Sequence, residues 1–526
     1  MPAKDGVCRT CCRGLYSCNW SPQRSEKRRC VCCWFSIVSL VSLLALFWMY
    51  VCAAAFNDRD DVNWKAFTKW KPWVNWFMVV VIISAVLASY CCLLLLFALF
   101  QVALREPLDL HWLHKVLLFL ALFIFVAGIA GICMAWRSEW ATVRLSLQAT
   151  APFLQLGGVG ALTLLSWLVF QRVFRTQSAV SRIVTLLVFV VVSIVIFLCP
   201  LFINSPCLVE NCPPKPRLIG HRGAPMLAPE NTMMSFRRSL KCDPLAFETD
   251  VQLSMDGVPF LLHDYKGQFL QRTTNVNEVY KDKDYNSSSQ LTWKQLQALN
   301  AGNWFIKSDP FGTASSLSEL EVAEAQNQSI PALAELLELA KQNSVSLVFD
   351  MKSDRNDIND TRRTVAAILR SNISPDLVLW LPGAHRDEVK KMAPGFRHVY
   401  ASIPRMVNES GDQLNVNYNA LNSEEIQKLR SQNVSVNLWV VNEPWLFSLL
   451  WCSGASSVTT NACHRFSAMT EPVWRMSPST YKIIWICVDV GSLVMMMVIC
   501  LLQRNRELGR KTTGWNQMEL HPFLSN

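Results

Sequence analysis

The chain has 526 residues, 51% of them hydrophobic, with 20 tryptophans and a formal net charge of +10. That length exceeds one ordinary domain, and the apolar content excludes a wholly soluble globular protein. Much of the positive charge flanks apolar runs and no nucleic-acid motif accompanies it, so the partner it implies is an anionic membrane surface and not nucleic acid.

Residues 1–33 form a basic tail with seven of the 19 cysteines: Cys8, Cys11, Cys12, Cys18, Cys30, Cys32 and Cys33. The Cys8 and Cys11 spacing hints at zinc, but no second clean pair or histidine completes a tetrahedral site. Palmitoylation beside a membrane span is the preferred reading. Residues 34–204 hold five apolar runs, Trp34–Ala54, Phe77–Leu99, Val116–Ala135, Leu154–Phe170 and Ile183–Ile203. Each is long enough to cross a bilayer as a helix of roughly 20 residues. The first run is read as an anchor and not as a cleavable signal. Mid-depth ionisable residues are almost lacking, which argues against a transporter or proton relay. Gly128-x-x-Gly131 and Gly157-Gly158-x-Gly160 are read as small residues that let helices pack closely, not as a nucleotide loop.

Residues 205–476 have ordinary soluble composition and are long enough for their own core. Strands are expected at Arg217–Gly220, Ala246–Val251, Val258–His263, Val345–Met351, Asp376–Leu381, His398–Ser402, Val434–Val441 and Ser456–Thr460. Helices are expected at Thr232–Lys241, Thr292–Leu299, Pro331–Gln342, Thr361–Ser371, Ser423–Ser431 and Pro444–Cys452. Continuous apolar strands alternating with helices predict an α/β domain, a TIM-type (β/α)8 barrel, with an open doubly wound sheet as the alternative. Residues 264–330 read as an insertion near the barrel mouth. A sixth span, 481–502, and a second tail, 503–526, complete the chain.

Sidedness follows from the short flanks. With six spans, 16 Lys and Arg residues fall on the side of both termini and six on the other, which predicts cytosolic termini and an extracellular barrel. Six glycosylation sequons, at Asn286, Asn327, Asn359, Asn372, Asn408 and Asn433, lie in the barrel segment. Elsewhere only Asn19-Trp-Ser occurs. Outside, Cys207, Cys212, Cys242, Cys452 and Cys463 meet an oxidising compartment; five is odd, so one at least lacks a partner among them. Cys207–Cys212 is a candidate local bridge.

The chemistry gathers at expected strand ends, where barrel active sites are built. Glu248 and Asp250, two apart on a strand, point the same way. With Asp350 they offer three oxygen donors for one divalent cation, Ca²⁺ or Mg²⁺. His221 and His263 suit an acid–base pair, and Arg222 and Lys352 suit the non-bridging oxygens of a phosphodiester. Taken singly, each residue is more often structural; their convergence is the signal.

The run His221-Arg222-Gly223-Ala-Pro-Met-Leu-Ala-Pro-Glu230-Asn231-Thr232 resembles the opening motif of the glycerophosphodiester phosphodiesterases. Phe247-Glu248-Thr-Asp250, Asp256-Gly257-Val-Pro259 and His263-Asp264 continue it, and Asp350-Met-Lys352 and Asn437-Leu-Trp439-Val-Val-Asn442 are similar to its later strands. Six spans and Ser146-Leu-Gln-Ala-Thr-Ala-Pro-Phe153 look like the multi-pass vertebrate branch. The resemblance, over roughly 215–465, implies a TIM-barrel phosphodiesterase with a divalent metal. His221 and His263 would be catalytic, and Glu248, Asp250 and Asp350 would be metal ligands. Arg222 and Lys352 would bind phosphate, Glu230 would support the metal site and Trp439 would line the alcohol pocket. Asp350 departs from the family's usual Glu by one methylene. The implied protein is a plasma-membrane hydrolase of glycerophosphodiesters, glycerophosphoinositol first, yielding an alcohol and a phosphate monoester. Cleavage of glycosylphosphatidylinositol anchors and an inactive receptor-like scaffold are the competing readings.

Overall fold

The computed structural model describes residues 14–18, 31–57, 63–64, 66–67, 73–104, 108–135, 139–264, 267–281, 285, 287–352 and 357–520. The tail cysteines Cys8, Cys11, Cys12 and Cys30, the side chains of Cys32 and Cys33, and the sequons at Asn19 and Asn286 lie outside them. The chain divides into two compact units. One comprises Met1–Phe56, Val80–Glu210 and Met476–Asn526; the other comprises Asn57–Val79 and Asn211–Arg475.

Six helices among the described residues, all of them wholly or mainly in the first unit, are long and apolar enough to cross a membrane: Trp34–Ala53, Trp76–Ala103, Trp112–Met134, Glu139–Arg175, Ala179–Phe202 and Pro478–Gly509. Between such helices apolar burial supplies little drive, so small residues and hydrogen bonds set the contacts. Gly128 fits this: a Cβ there would collide with the Trp48 ring. The Trp48 indole donates to Ser84 Oγ at 2.8 Å, and the Tyr50 hydroxyl donates to Ser146 Oγ at 2.9 Å. Gly157 and Gly160 do not fit. A Cβ on either would find nothing within 4 Å, so the close packing expected of them is not made.

The second unit contains one nine-stranded sheet: β1 (Arg217–His221), β2 (Ala246–Leu253), β3 (Pro259–Leu261), β4 (Ser346–Met351), β5 (Val378–Trp380), β6 (Arg397–His398), β7 (Gln413–Asn417), β8 (Ser435–Trp439) and β9 (Ser457–Thr460). Eight strands run parallel in the order β6-β5-β4-β2-β1-β9-β8-β7. A parallel bridge between Tyr400 and Leu414 joins the two ends, with Tyr400 N donating to Gln413 O at 2.9 Å. The sheet is thus a nearly closed TIM-type barrel.

The expected strand set needs two corrections, one strand misplaced and one missed. Val258–His263 is not a stave: β3 lies antiparallel on β2 as a hairpin. Its turn is Asp256-Gly257, where Gly257 takes φ +84° and its N–H returns to Ser254 O at 2.9 Å. The missing stave is β7, whose Gln-Leu-Asn-Val-Asn sequence lacks the apolar run of its neighbours. The core lies outside the sheet, where Phe247, Phe349 and Trp380 pack against helices Met233–Leu240, Leu333–Asn343, Ile358–Arg370 and Arg386–Met392. Thr232 starts the first of these by accepting the Ser235 amide, an N-cap of the usual type. Cys242 is bonded to Cys463, with Cα atoms 5.8 Å apart. Cys212 is a free thiol and Cys207 is disulfide-bonded, so the local Cys207–Cys212 bridge is not formed.

Candidate active site

Strand alternation builds the site. Inside the barrel Ile219, Ala246, Val348, Leu379 and Val399 form a small apolar floor, while Phe247 and Phe349 point out to the helices. A period of two then turns His221 on β1, Glu248 and Asp250 on β2, and Asp350 on β4 inward, above that floor. The register aligns His221 with Glu248 and Asp250 with Asp350. The three acids therefore meet, with one oxygen from each lying within 4.8 Å of the others.

The turn after β1 swings Arg222 back over the site. Arg222 and Gly223 have φ +53° and +89°, and a Cβ on Gly223 would sit 2.7 Å from the Ser235 carbonyl carbon. Only glycine tolerates that approach. Arg222 N donates to Glu248 Oε2 at 3.0 Å, and its guanidinium reaches Glu230 Oε1 at 2.9 Å and Asp250 Oδ2 at 3.1 Å. Lys352 follows β4, with Nζ 2.7 Å from Asp350 Oδ2 and 3.6 Å from Asp250 Oδ1. Glu230 binds Arg222 and also Arg272, at 2.7 Å. His221, Arg222, Glu248, Asp250, His263, Asp350, Lys352 and Trp439 line one cavity of about 460 Å³, completed by Asn415, Thr459, Val440 and the Leu381–Gly383 loop. Glu230 sits behind Arg222 and does not line it.

Burial acts first on every charge here. It lowers His221 to about 4 and His263 to about 3, with Arg222 adding to both, so both imidazoles rest neutral. Burial also pushes Glu248 well above the usual carboxylate range, and neighbouring Asp250 and Asp350 add to this. Asp350 is raised by burial and by Asp250 against the pull of Lys352. Burial would raise Glu230 too, but Arg272 and Arg222 outweigh it and hold the carboxyl at about 2. Asp250 is likewise held low against burial, by neighbouring cations that include Arg222 and Lys352, with the Asn231 amide donating to it.

The donor set fits a divalent cation. Among the described residues, the four carboxylates of Glu230, Glu248, Asp250 and Asp350 are paired with three permanent cations, Arg222, Arg272 and Lys352. Three carboxylate oxygens so close repel one another unless a cation or protons intervene.

Sequence reasoning passed over several partners. Asn461 Oδ1 accepts from His221 Nδ1 at 2.6 Å, which leaves Nε2 with its lone pair, 3.9 Å from Glu248 Oε2. Asn231 Nδ2 donates to Asp250 Oδ2 at 3.0 Å. Phe269 packs edge-on against His263, with centroids 4.2 Å apart. Asn461 directly follows β9, so the strand-end rule that found the histidines also pointed to it.

The profile of the glycerophosphoryl diester phosphodiesterase family matches residues 221–376. A glycerophosphoinositol inositolphosphodiesterase, GDPD2 of Mus musculus, is 44% identical over 98% of this chain and 97% of its own length. Glycerophosphodiester phosphodiesterase domain-containing protein 5 of Homo sapiens is 39% identical over 98% of this chain and 86% of its own. The crystal structure of a glycerophosphodiester phosphodiesterase from Agrobacterium tumefaciens is 18% identical, covering 48% of this chain and 100% of that one, with a TM-score of 0.38. Similarity to the first two runs through the apolar helices as well as the barrel, and on that ground the chain belongs to the glycerophosphodiester phosphodiesterase family.

Proposed function

We propose that the protein is a membrane-anchored ecto-phosphodiesterase that hydrolyses glycerophosphodiesters, glycerophosphoinositol foremost, to an alcohol and a phosphate monoester. The observation that carries this is the single 460 Å³ cavity into which both histidines, three acids, Arg222 and Lys352 converge. An inactive scaffold has no reason to keep that set together. Glycerophosphoinositol is favoured by the activity for which the relative at 44% identity is named.

Two imidazoles on one cavity suit proton transfer. One, neutral, takes the proton of the attacking oxygen, and the other, which must carry a proton in the substrate complex, gives it to the departing alkoxide. His221 offers Nε2 as an acceptor because Asn461 holds the proton on Nδ1. Arg222 is tied to Glu230 behind it and Lys352 to Asp350 beside it, so both reach the cavity already oriented toward a phosphate. Glu248, Asp250 and Asp350 would hold one divalent cation, Ca²⁺ or Mg²⁺, which when bound supplies charge neutralisation at the phosphoryl oxygens. Trp439, 39% exposed beside Asn415 and Thr459, offers an apolar face with polar neighbours, suited to a polyol.

The test is turnover of a glycerophosphodiester panel by detergent-purified full-length protein, with Ca²⁺, with Mg²⁺ and with chelator, beside His263→Ala. Expected are metal-dependent turnover and a loss of roughly 100-fold or more in the variant. Folded protein that leaves every soluble diester intact would defeat the reading. Release of a glycosylphosphatidylinositol-anchored protein would then identify a lipid-anchored substrate, and failure there too would identify a scaffold.

A further inference from the structure

The barrel's unit contains a piece of chain from far outside the barrel sequence, Asn57–Val79, which connects the first two apolar helices. We propose that the described residues of this segment brace the active-site wall from behind, with Asn57 and Trp64 as positioning residues for His221 and His263.

Asn57 is 1% exposed, and its side-chain amide is bonded to the chain leaving β8. Nδ2 donates to Val440 O at 2.6 Å, and Oδ1 accepts from Asn442 N at 2.8 Å and from Glu443 N at 3.3 Å. Val440 and the adjacent Trp439 line the catalytic cavity. From Asn442 the contacts continue inward. Its Oδ1 accepts from Asn461 N at 2.9 Å, and Asn461 Oδ1 fixes the His221 tautomer. Two backbone-anchored asparagines thus separate Asn57 from a catalytic imidazole. An amide that satisfies three backbone groups at once pins a loop more narrowly than apolar packing does.

The second path is aromatic. The Trp64 ring lies 4.2 Å from that of Phe269, which packs at the same centroid distance on His263. Arg272 is boxed by Trp64 at 5.0 Å, Trp73 at 5.6 Å and Trp304 at 5.0 Å, and it holds Glu230, which holds Arg222. Desolvated cation–π contacts of this kind orient a guanidinium as well as stabilising it. The segment is itself fastened: Asn63 Nδ2 donates to Asn75 Oδ1 at 3.1 Å, and Asn63 Oδ1 accepts from Phe77 N at 2.9 Å. Both paths leave one short segment and end on the two groups that move protons. Covering a surface would not require that.

The inference rests on the proposed hydrolase activity, and its test separates the two. In full-length protein, Asn57→Ala and Trp64→Ala should each lower kcat on glycerophosphoinositol about tenfold or more, with KM changed less than about threefold. Trp64→Phe should restore most of the loss, while Val74→Ala, at an exposed residue of the same segment, should match the parent. Hydrogen exchange in Asn57→Ala should rise at 439–443 and at Asn461, with the melting temperature nearly unchanged. Unchanged kcat in both alanine variants would overturn the inference and leave the hydrolase standing. So would a kcat loss that only tracks a fallen melting temperature and is not rescued by phenylalanine. If the parent turns over no diester, the hydrolase reading fails and the exchange measurement alone decides whether the segment holds the two strand ends.

Discussion

The tautomer of one imidazole depends on a single amide. Asn461 is 6% exposed and offers His221 its carbonyl oxygen at 2.6 Å. Asn461→Ala should let the ring sample the wrong tautomer and lower kcat by about tenfold or more, a part of the roughly 100- to 10,000-fold that acid–base catalysis supplies. Asn461→Asp keeps an acceptor at the same place and should stay near the parent. Equal losses in both variants would show that packing, not the acceptor, matters there. A further histidine, outside the site, contributes to acid stability. His398 on β6 has both ring nitrogens buried without hydrogen-bond partners among the described residues. Its pKa is lowered to about 4, first by burial and then by Arg386 and Lys390. The folded chain keeps this ring neutral, whereas the unfolded chain protonates it near its ordinary value of 6.5. Stability is therefore intact above about 6.5 and is lost as pH falls toward about 4. His398→Phe should shrink that acid-side drop in melting temperature; an unchanged slope would assign the loss to other groups.

Elements were legible where period and propensity agreed. Glu248, Asp250 and Asp350 came together because alternation on buried parallel strands leaves no choice of face. The two errors have local causes. Pro259-Phe-Leu-Leu262 reads as a strand by composition, yet the Asp256-Gly257 turn before it makes it a hairpin return. β7 escaped notice because its inward residue is Asn415, which accepts from Asn437 Nδ2 at 2.6 Å. Asn437 Nδ2 also donates to Thr459 Oγ1, and Asn437 Oδ1 accepts from Ser457 Oγ. That polar ladder across β7, β8 and β9 replaces the apolar run that marks the other staves, and no single strand's sequence announces it. The segment Asn57–Val79 was invisible for another reason, since nothing in a short inter-helix connection specifies a barrel as its partner. The Cys242–Cys463 bond ties the end of helix Met233–Leu240 to the helix after β9 across a separation of 221 residues. A closure that long constrains the unfolded chain strongly, so replacing both cysteines with alanine should cost about 2–5 kcal/mol. Urea titration of the parent and the double variant, each in detergent, measures it. A change below about 0.5 kcal/mol would place the bond among ornaments of an already closed barrel.

At the scale of the whole molecule the open matter is which side of the membrane the barrel occupies, and independent physical features support one answer. Six crossings by the six long apolar helices would put the 57–79 segment and the barrel on the same side by parity, whichever side that is, and the two belong to one compact unit. The short flanks place 16 basic residues opposite them, as expected of a cytosolic face. A disulfide as deep as Cys242–Cys463 persists in an oxidising compartment and is rare in the cytosol. Asn327, Asn359, Asn372, Asn408 and Asn433 are all exposed, so five of the six barrel sequons can reach a glycosyltransferase. The reading of an extracellular, glycosylated barrel predicts that the protein made in animal cells drops in apparent mass on treatment with an N-glycosidase. Replacing these five asparagines and Asn286 with glutamine should remove the drop without removing the protein from the cell surface. The loss of mass must occur under non-permeabilising conditions for the barrel to be outside. A chain that never shifts, and whose free Cys212 thiol is alkylated only after permeabilisation, would put the barrel in the cytosol. Its substrate would then have to be an intracellular diester, and the headgroup would have to be sought among soluble metabolites and not at the outer leaflet.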